Sequence, residues 1–183
     1  MAEYYLISQL PSVDGLDENS PVPITEERFL EICEGSLKSK VLRELNNINL
    51  VPPADLPKSY SSVIESFSEG ERNLRFALAK VRADKMNKPF DLNNRQLPSE
   101  LCKVASEAAE IKNPLEAEKF LLQYRLRFLE TIRPMDNFSE DYIFYYGLKL
   151  KLISRLRQFD VQLGKATYKN IYDSILNGNK LEA

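Results

Sequence analysis

Between Ser139 and Leu163 the chain reads SEDYIFYYGLKLKLISRLRQFDVQL, and this stretch decides the fold. At about 100° per residue, Tyr142, Ile143, Tyr145, Tyr146, Leu148, Leu150, Leu152, Ile153, Leu156, Phe159 and Leu163 cover most of a helix's circumference. Only the sector of Gly147, Lys151, Ser154, Arg155, Gln158 and Gln162 is polar throughout. A helix this apolar is either central to a bundle or covered by a partner. Ser139 stands as its N-cap and Gly164 as its stop, so one long helix is expected from Glu140 to Leu163, followed by a last helix from Ala166 to Leu176. Lys149, Arg157 and Asp160 lie inside the apolar arc and read as an internal network, with Arg157 and Asp160 paired three residues apart.

The segments upstream also read as helices. Asn113-Pro114-Leu115-Glu116 joins an asparagine cap to a proline at the first helical position, and that helix should end near Arg133 because Pro134 follows. Ser99 starts a short alanine-bearing helix. Ser68-Glu69-Gly70-Glu71 has the form of a capping box, opening a helix to Lys85 with Leu74, Ala77, Leu78 and Val81 on one face. Thr25 caps a helix that ends at Gly35, and Ser36 begins another carrying Leu37, Val41, Leu42 and Leu45. Tyr4–Leu10 reads equally as a short strand or a first helical turn, and 11–23 as an exposed loop. The prolines of 46–57 mark a break, and 87–98 is a loop. The expectation is an all-α single-domain bundle of about six to eight helices over residues 1–183, with one long central helix. Two helical halves would meet near 87–98.

Composition narrows the chemistry. The 183 residues are 43% hydrophobic and 28% charged, enough for one folded core, and they include no histidine and no tryptophan. A Ser-His-Asp triad, a Cys-His pair and a histidine-based metal site are therefore impossible. Cys33 and Cys102 are expected to be reduced core thiols. No signal peptide or membrane span is visible, which suggests a cytoplasmic protein. Residues 1–34 hold eight acids against Arg28, a net −7, whereas 119–169 carry ten bases against five acids. Such asymmetry steers a partner or closes one end of the chain on the other. It is too weak for a nucleic-acid footprint. No cofactor or metal is expected.

The candidate partner-binding residues are basic and aromatic. Arg75 and Arg82 lie seven apart on one helix edge, suited to a partner's acids or to a neighbouring helix end, with Lys85 beyond them. Arg125, beside Leu129 and Ile132, anchors a partner or is paired internally. Tyr142 and Tyr145 fill the core or face a partner, and Lys151 and Arg155 occupy the polar sector of the long helix.

Two passages carry a family resemblance. Tyr4-Tyr5-Leu6-Ile7-Ser8-Gln9-Leu10-Pro11, followed by Pro23 to Cys33, resembles the start of a bacterial family of unassigned function encoded among V-type ATP synthase subunits. Glu71-Arg72-Asn73-Leu74-Arg75 through Val81-Arg82-Ala83-Asp84-Lys85 resembles the repeat element of the V/A-type ATPase subunit known as C in prokaryotes and d in eukaryotes. A fainter echo is Tyr146–Arg155. The second resemblance is carried residue by residue on Asn73, Arg75, Arg82 and Lys85. This chain is short for the C/d subunit, an all-helical funnel of three similar parts, of which at most two fit here. The resemblance implies a fold like that of the V-type ATPase C/d subunit. It also implies a non-catalytic subunit or assembly factor linking the central stalk to the membrane rotor ring, peripheral to the inner membrane through its partners. The alternative is a generic helical adaptor that binds a soluble protein through the 119–163 surface.

Overall fold

A computed structural model of the chain describes residues 2–17, 20–53, 58–92, 95–157 and 161–178. Its elements are α1 (Ala2–Gln9), α2 (Glu26–Glu34), α3 (Ser39–Asn46), α4 (Ser62–Lys85), α5 (Ser99–Glu110), α6 (Pro114–Thr131), α7 (Glu140–Arg157) and α8 (Val161–Gly178), with no strand among the described residues. The fold is all-helical.

The apolar stretch around Tyr142–Leu150 forms the centre. Every one of these residues on α7 is buried, Lys149 included, because α2 packs on one side and α4 and α6 on the others. Phe29 of α2 stacks on Tyr146 with ring centroids 5.1 Å apart. Gly147 lets this layer approach: a Cβ there would sit 3.3 Å from Phe29 and 3.5 Å from Leu45. Leu6, Leu122, Leu129 and Ile143 complete this first core, each buried side chain contributing roughly 1.5–3 kcal/mol. A second, smaller core holds Leu74, Ala77, Leu101, Ala105, Ala108 and Leu121 where α5 lies across α4 and α6. The two cores share α4 and α6, which run through both.

Several boundaries were left open by the sequence or differ from its reading. Residues 4–9 are helical, not a strand. The 11–23 segment is not wholly exposed: Val13 is fully buried, and the Tyr146 hydroxyl donates to the Pro11 carbonyl at 3.0 Å. α3 starts at Ser39 rather than Ser36, since the N–H groups of Ser36 and Leu37 still bond back to the Cys33 carbonyl. α4 starts at Ser62, not Ser68. The Ser61 hydroxyl accepts from the Val63 N–H and donates to Asp141 at 2.6 Å, and Ser62 donates to the other Asp141 oxygen at 2.8 Å. Glu44 accepts from the Ser59 hydroxyl and the Tyr60 N–H. This polar collar fixes the start, so Ser68 falls mid-helix and Glu71 is not a capping residue. α4 does end at Lys85, closed by Asn87 in the left-handed region (φ 52°), with the N–H of Lys88 on the Ala83 carbonyl and that of Asn87 on Asp84. α7 is described as far as Arg157, residues 158–160 of the expected long helix lie outside the described residues, and Gly164 lies inside α8 rather than closing a helix. The expected Arg157–Asp160 pair lies outside the described residues.

Gly70 on α4 faces Phe128 of α6 so closely that a Cβ would fall 2.3 Å from the ring. Helix propensity alone favours Gly→Ala by about 1 kcal/mol, but the ring must leave its seat, at a cost of about 1–3 kcal/mol. Gly70→Ala should therefore lower stability in chemical denaturation followed by circular dichroism. The same change in a Phe128→Ala background should be neutral or stabilising. Stabilisation by Gly70→Ala in the otherwise unaltered chain would show that the Phe128 ring moves aside at little cost.

Candidate functional site

α4 carries Val63, Phe67, Glu71 and Leu74 along one inward stripe, and all four are buried. A carboxylate in such a stripe needs a partner, because burying it unpaired costs several kcal/mol. That partner is Arg125 on α6, which donates from Nε to Glu71 Oε2 at 2.8 Å and from Nη2 to Oε1 at 3.0 Å. Arg75, one turn beyond Glu71, adds Nε to Oε1 at 3.0 Å. Side-chain exposure separates the roles: 1% for Glu71, 12% for Arg125 and 46% for Arg75. Arg125 Nη1 lies 3.7 Å from Glu118 Oε1, and the same Glu118 oxygen accepts from Nε of Arg155 on α7 at 3.0 Å, with Arg155 Nη2 also 3.0 Å away. The result is a charge ladder, Arg75–Glu71–Arg125–Glu118–Arg155, that runs across α4, α6 and α7. Burial opposes the Arg125 charge, but the Glu71 hydrogen bonds and the nearby Glu71 and Glu118 charges outweigh it and hold its pKa above the ordinary value.

A second network closes the other end of α6. Lys149, buried on α7, bonds to Glu130, which also accepts from the Tyr145 hydroxyl at 2.8 Å. Burial raises the Glu130 pKa, yet the hydrogen bonds from Lys149 and Tyr145 and the Lys149 charge carry it net below the ordinary range. Burial first, then the Glu130 bond and charge, push the Tyr145 phenol far up. Arg133 pairs with Asp14 at 2.7 Å and lies over the rings of Tyr142 and Tyr145. Lys151 donates to Glu26 at 2.7 Å. Burial also pushes the Cys33 thiol up to about 12. None of these displacements brings a group toward neutrality, where a proton shuttle works best. What this geometry does is fix helices relative to one another.

The structure brings Arg75, Arg125 and Arg155 into one ladder, as the sequence did not foresee. Tyr142, Tyr145 and Arg125 face inward and are engaged within the protein. Lys151 is half-buried against α2. Lys85 donates to the Ala109 carbonyl in the last turn of α5, the helix-end role weighed for the arginine edge. Arg82 is exposed on the last turn of α4. Of these residues Arg75, Arg82 and Lys85 present the most surface. Sequence reasoning missed Glu71, Glu118 and Glu130 as their partners, although Glu71 inside an apolar stripe and Lys149 inside an apolar arc both signal a buried ion waiting for its counterpart.

The residues that build the second core, α6, α7 and α8 fall largely within one family profile, which matches residues 83–179. The chain belongs to the family described as Protein of unknown function (DUF2764). No curated protein and no solved structure matches it. The DUF2764 match takes in Arg125 and Arg155 but not Glu71, which lies upstream of it. Among the described residues no cluster of acids or cysteines is arranged to hold a metal, and no helix is long and apolar enough to cross a membrane.

Removing one member of the buried pair should be costly. Glu71→Gln and Arg125→Met should each lose about 3–5 kcal/mol in urea denaturation, whereas the half-exposed Arg75→Ala should lose no more than about 1 kcal/mol. Equal effects at Arg75 and Arg125 would show that the bidentate pair does not hold α4 to α6. The depressed Glu130 pKa gives a second expectation. Its contribution is complete above about pH 4.5, the ordinary value, and is lost as pH falls through the lower folded pKa. Glu130→Gln should flatten that acid limb in melting curves recorded between neutral and acid pH; an unchanged limb would place the acid sensitivity elsewhere.

Proposed function

We propose that this protein is a non-catalytic, partner-binding subunit or assembly factor of a bacterial V-type ATP synthase, held at the cytoplasmic side between the central stalk and the membrane rotor ring. The observation that carries this reading is the fate of the Glu71-Arg72-Asn73-Leu74-Arg75 element. It lies on an uninterrupted helix, and its Glu71 and Arg75 begin a charge ladder crossing three helices. A body that transmits force by shape needs helices locked against sliding, and buried bidentate pairs supply that lock. Arg75 and Arg82 stand on the outer edge of the same helix, where a partner's acids can reach them. The reading rests on the resemblance of that element to the repeat of the C/d subunit, and the fold supports it only in being all-helical. Binding to a soluble protein instead would use α6 and the loops beside it, since α7 between Tyr142 and Leu150 is covered by its own chain.

Affinity capture of the tagged protein from its native membranes in mild detergent, followed by mass spectrometry, tests the assignment. Central-stalk and rotor-ring subunits are the expected companions. Arg75→Gln with Arg82→Glu should reduce their recovery while leaving the melting temperature within a few degrees of the unaltered chain. Recovery of a single soluble partner and no ATPase component would replace this reading with the adaptor.

A further inference from the structure

α8 is unlike the other helices. Every described side chain between residues 164 and 175 is exposed, yet the sequence is not that of a solvated helix. Tyr168, Tyr172 and Ile175 are 71%, 51% and 58% exposed, and the two tyrosine rings stack with centroids 6.2 Å apart. With Ile171 they follow the i, i+3, i+4, i+7 spacing of a face built to be buried. Lys165 and Lys169, one turn apart, line one edge of that face, with Asp173 one turn further.

A seat of matching chemistry exists on the same chain. α4 and α6 are covered by α7 on one face, through Leu122, Leu126 and Leu129. On the opposite face α5 covers only part of the pair, and a groove of about 690 Å³ remains. Leu101, Tyr124 and Phe128 supply its apolar lining, while Glu69, Glu100 and Glu107 stand around it with the cation Arg127. Burial first, and then the Glu100 and Glu71 carboxylates, raise the Tyr124 phenol, against the lowering effect of Arg127. An apolar floor with three acids and one base complements an apolar face with two bases and one acid.

The chain's own α8 is poorly placed to fill this seat. α7 delivers it from the covered face of the α4–α6 layer, with Arg155 tied to Glu118. Among the described residues α8 does not pack on α4, α5 or α6. We propose that α8 of one chain lies in the α4–α5–α6 groove of a second copy and that the exchange is reciprocal, forming a closed two-fold dimer. Each buried tyrosine contributes about 150–250 Å², so one seat alone is at the low end of specific interfaces, whereas two reach the roughly 1,200–2,000 Å² of a standard one. Reciprocity also closes the assembly, where a one-way insertion would propagate into filaments. The dimer does not depend on the ATP synthase reading.

Sedimentation velocity on the full chain tests it. The unaltered protein should dimerise reversibly in the micromolar range. Lys165→Glu with Lys169→Glu should weaken dimerisation at least about tenfold, as should Glu100→Lys with Glu107→Lys, and mixing the two variants or combining all four changes should restore it. Tyr168→Ser with Tyr172→Ser, on a helix whose described side chains touch solvent, should give monomers with an unaltered circular dichroism melt of the core. A monomer persisting to about 100 μM would overturn the proposal. So would a dimer indifferent to the groove charges, or one lost with the α8 reversal and not rescued by the groove reversal.

Discussion

Glu71 and Arg125 are buried where α4 meets α6, and neither is tolerable there alone. A carboxylate at 1% exposure without its guanidinium would have to be neutralised or to admit water, and a guanidinium at 12% exposure cannot give up its proton. The two must therefore meet, and the planar fork of Arg125 meets the carboxylate edge-on through Nε and Nη2, which restricts their relative orientation. That requirement fixes the axial position of α4 on α6. Once it is fixed, Gly70 faces Phe128, Leu74 and Ala77 face α5, and Phe67 faces α7. The apolar contacts supply most of the stabilisation, but a stripe of leucines accepts a slide of one turn far more readily than a bidentate ion pair does.

The elements that sequence reading recovered are those whose signals are local. Thr25, Asn113 with Pro114, and the break at Pro134 act within a few residues, and α2 and α6 lie close to where they place them. The start of α4 departs from its local pattern because distant groups outbid it. Ser68-Glu69-Gly70-Glu71 has the spacing of a capping box, but the collar of Glu44 and Asp141 around Ser59–Ser62 starts the helix earlier, and Arg125 claims Glu71. Neither partner is within ten residues of the motif it overrides, so no window along the sequence could reveal them. The charge ladder was half legible: an acid in the apolar stripe of α4, an arginine among the leucines of α6 and a lysine in the arc of α7 each announce a buried ion. Which ion meets which depends on the tertiary arrangement.

The charge asymmetry between the ends of the chain has a comparable history. The acidic N-terminal segment could have been a lure for a partner or a clasp for the basic stretch after residue 119. At least part of it is a clasp. Asp14 meets Arg133 and Glu26 meets Lys151, both at 2.7 Å, and Glu140 at the start of α7 faces Lys38 at 3.5 Å. The first two tie opposite ends of the sequence together. Being partly exposed, each is worth little by itself. Their value lies in register: Asp14 brings Val13 and the Pro11 carbonyl over α7, where Tyr146 bonds to the latter and the former is fully buried.

These closures bear on where any partner can bind. An all-round apolar helix admits two explanations, a place at the centre of the bundle or a partner laid along it, and the burial of Tyr142–Leu150 by α2, α4, α6 and the N-terminal segment is the first. The apolar face of α7 is thereby removed from the surface. The same reasoning applied to α8 gives the opposite result. Its apolar residues repeat at helical spacing, but nothing described between residues 164 and 175 is covered. Water excludes apolar faces of this kind from stable exposure in most monomers. A chain that hides a helix as demanding as α7 within itself and leaves two stacked tyrosines outside has divided its apolar surface between folding and association, and the association must be sought at α8 and the groove beside α5, not along α7.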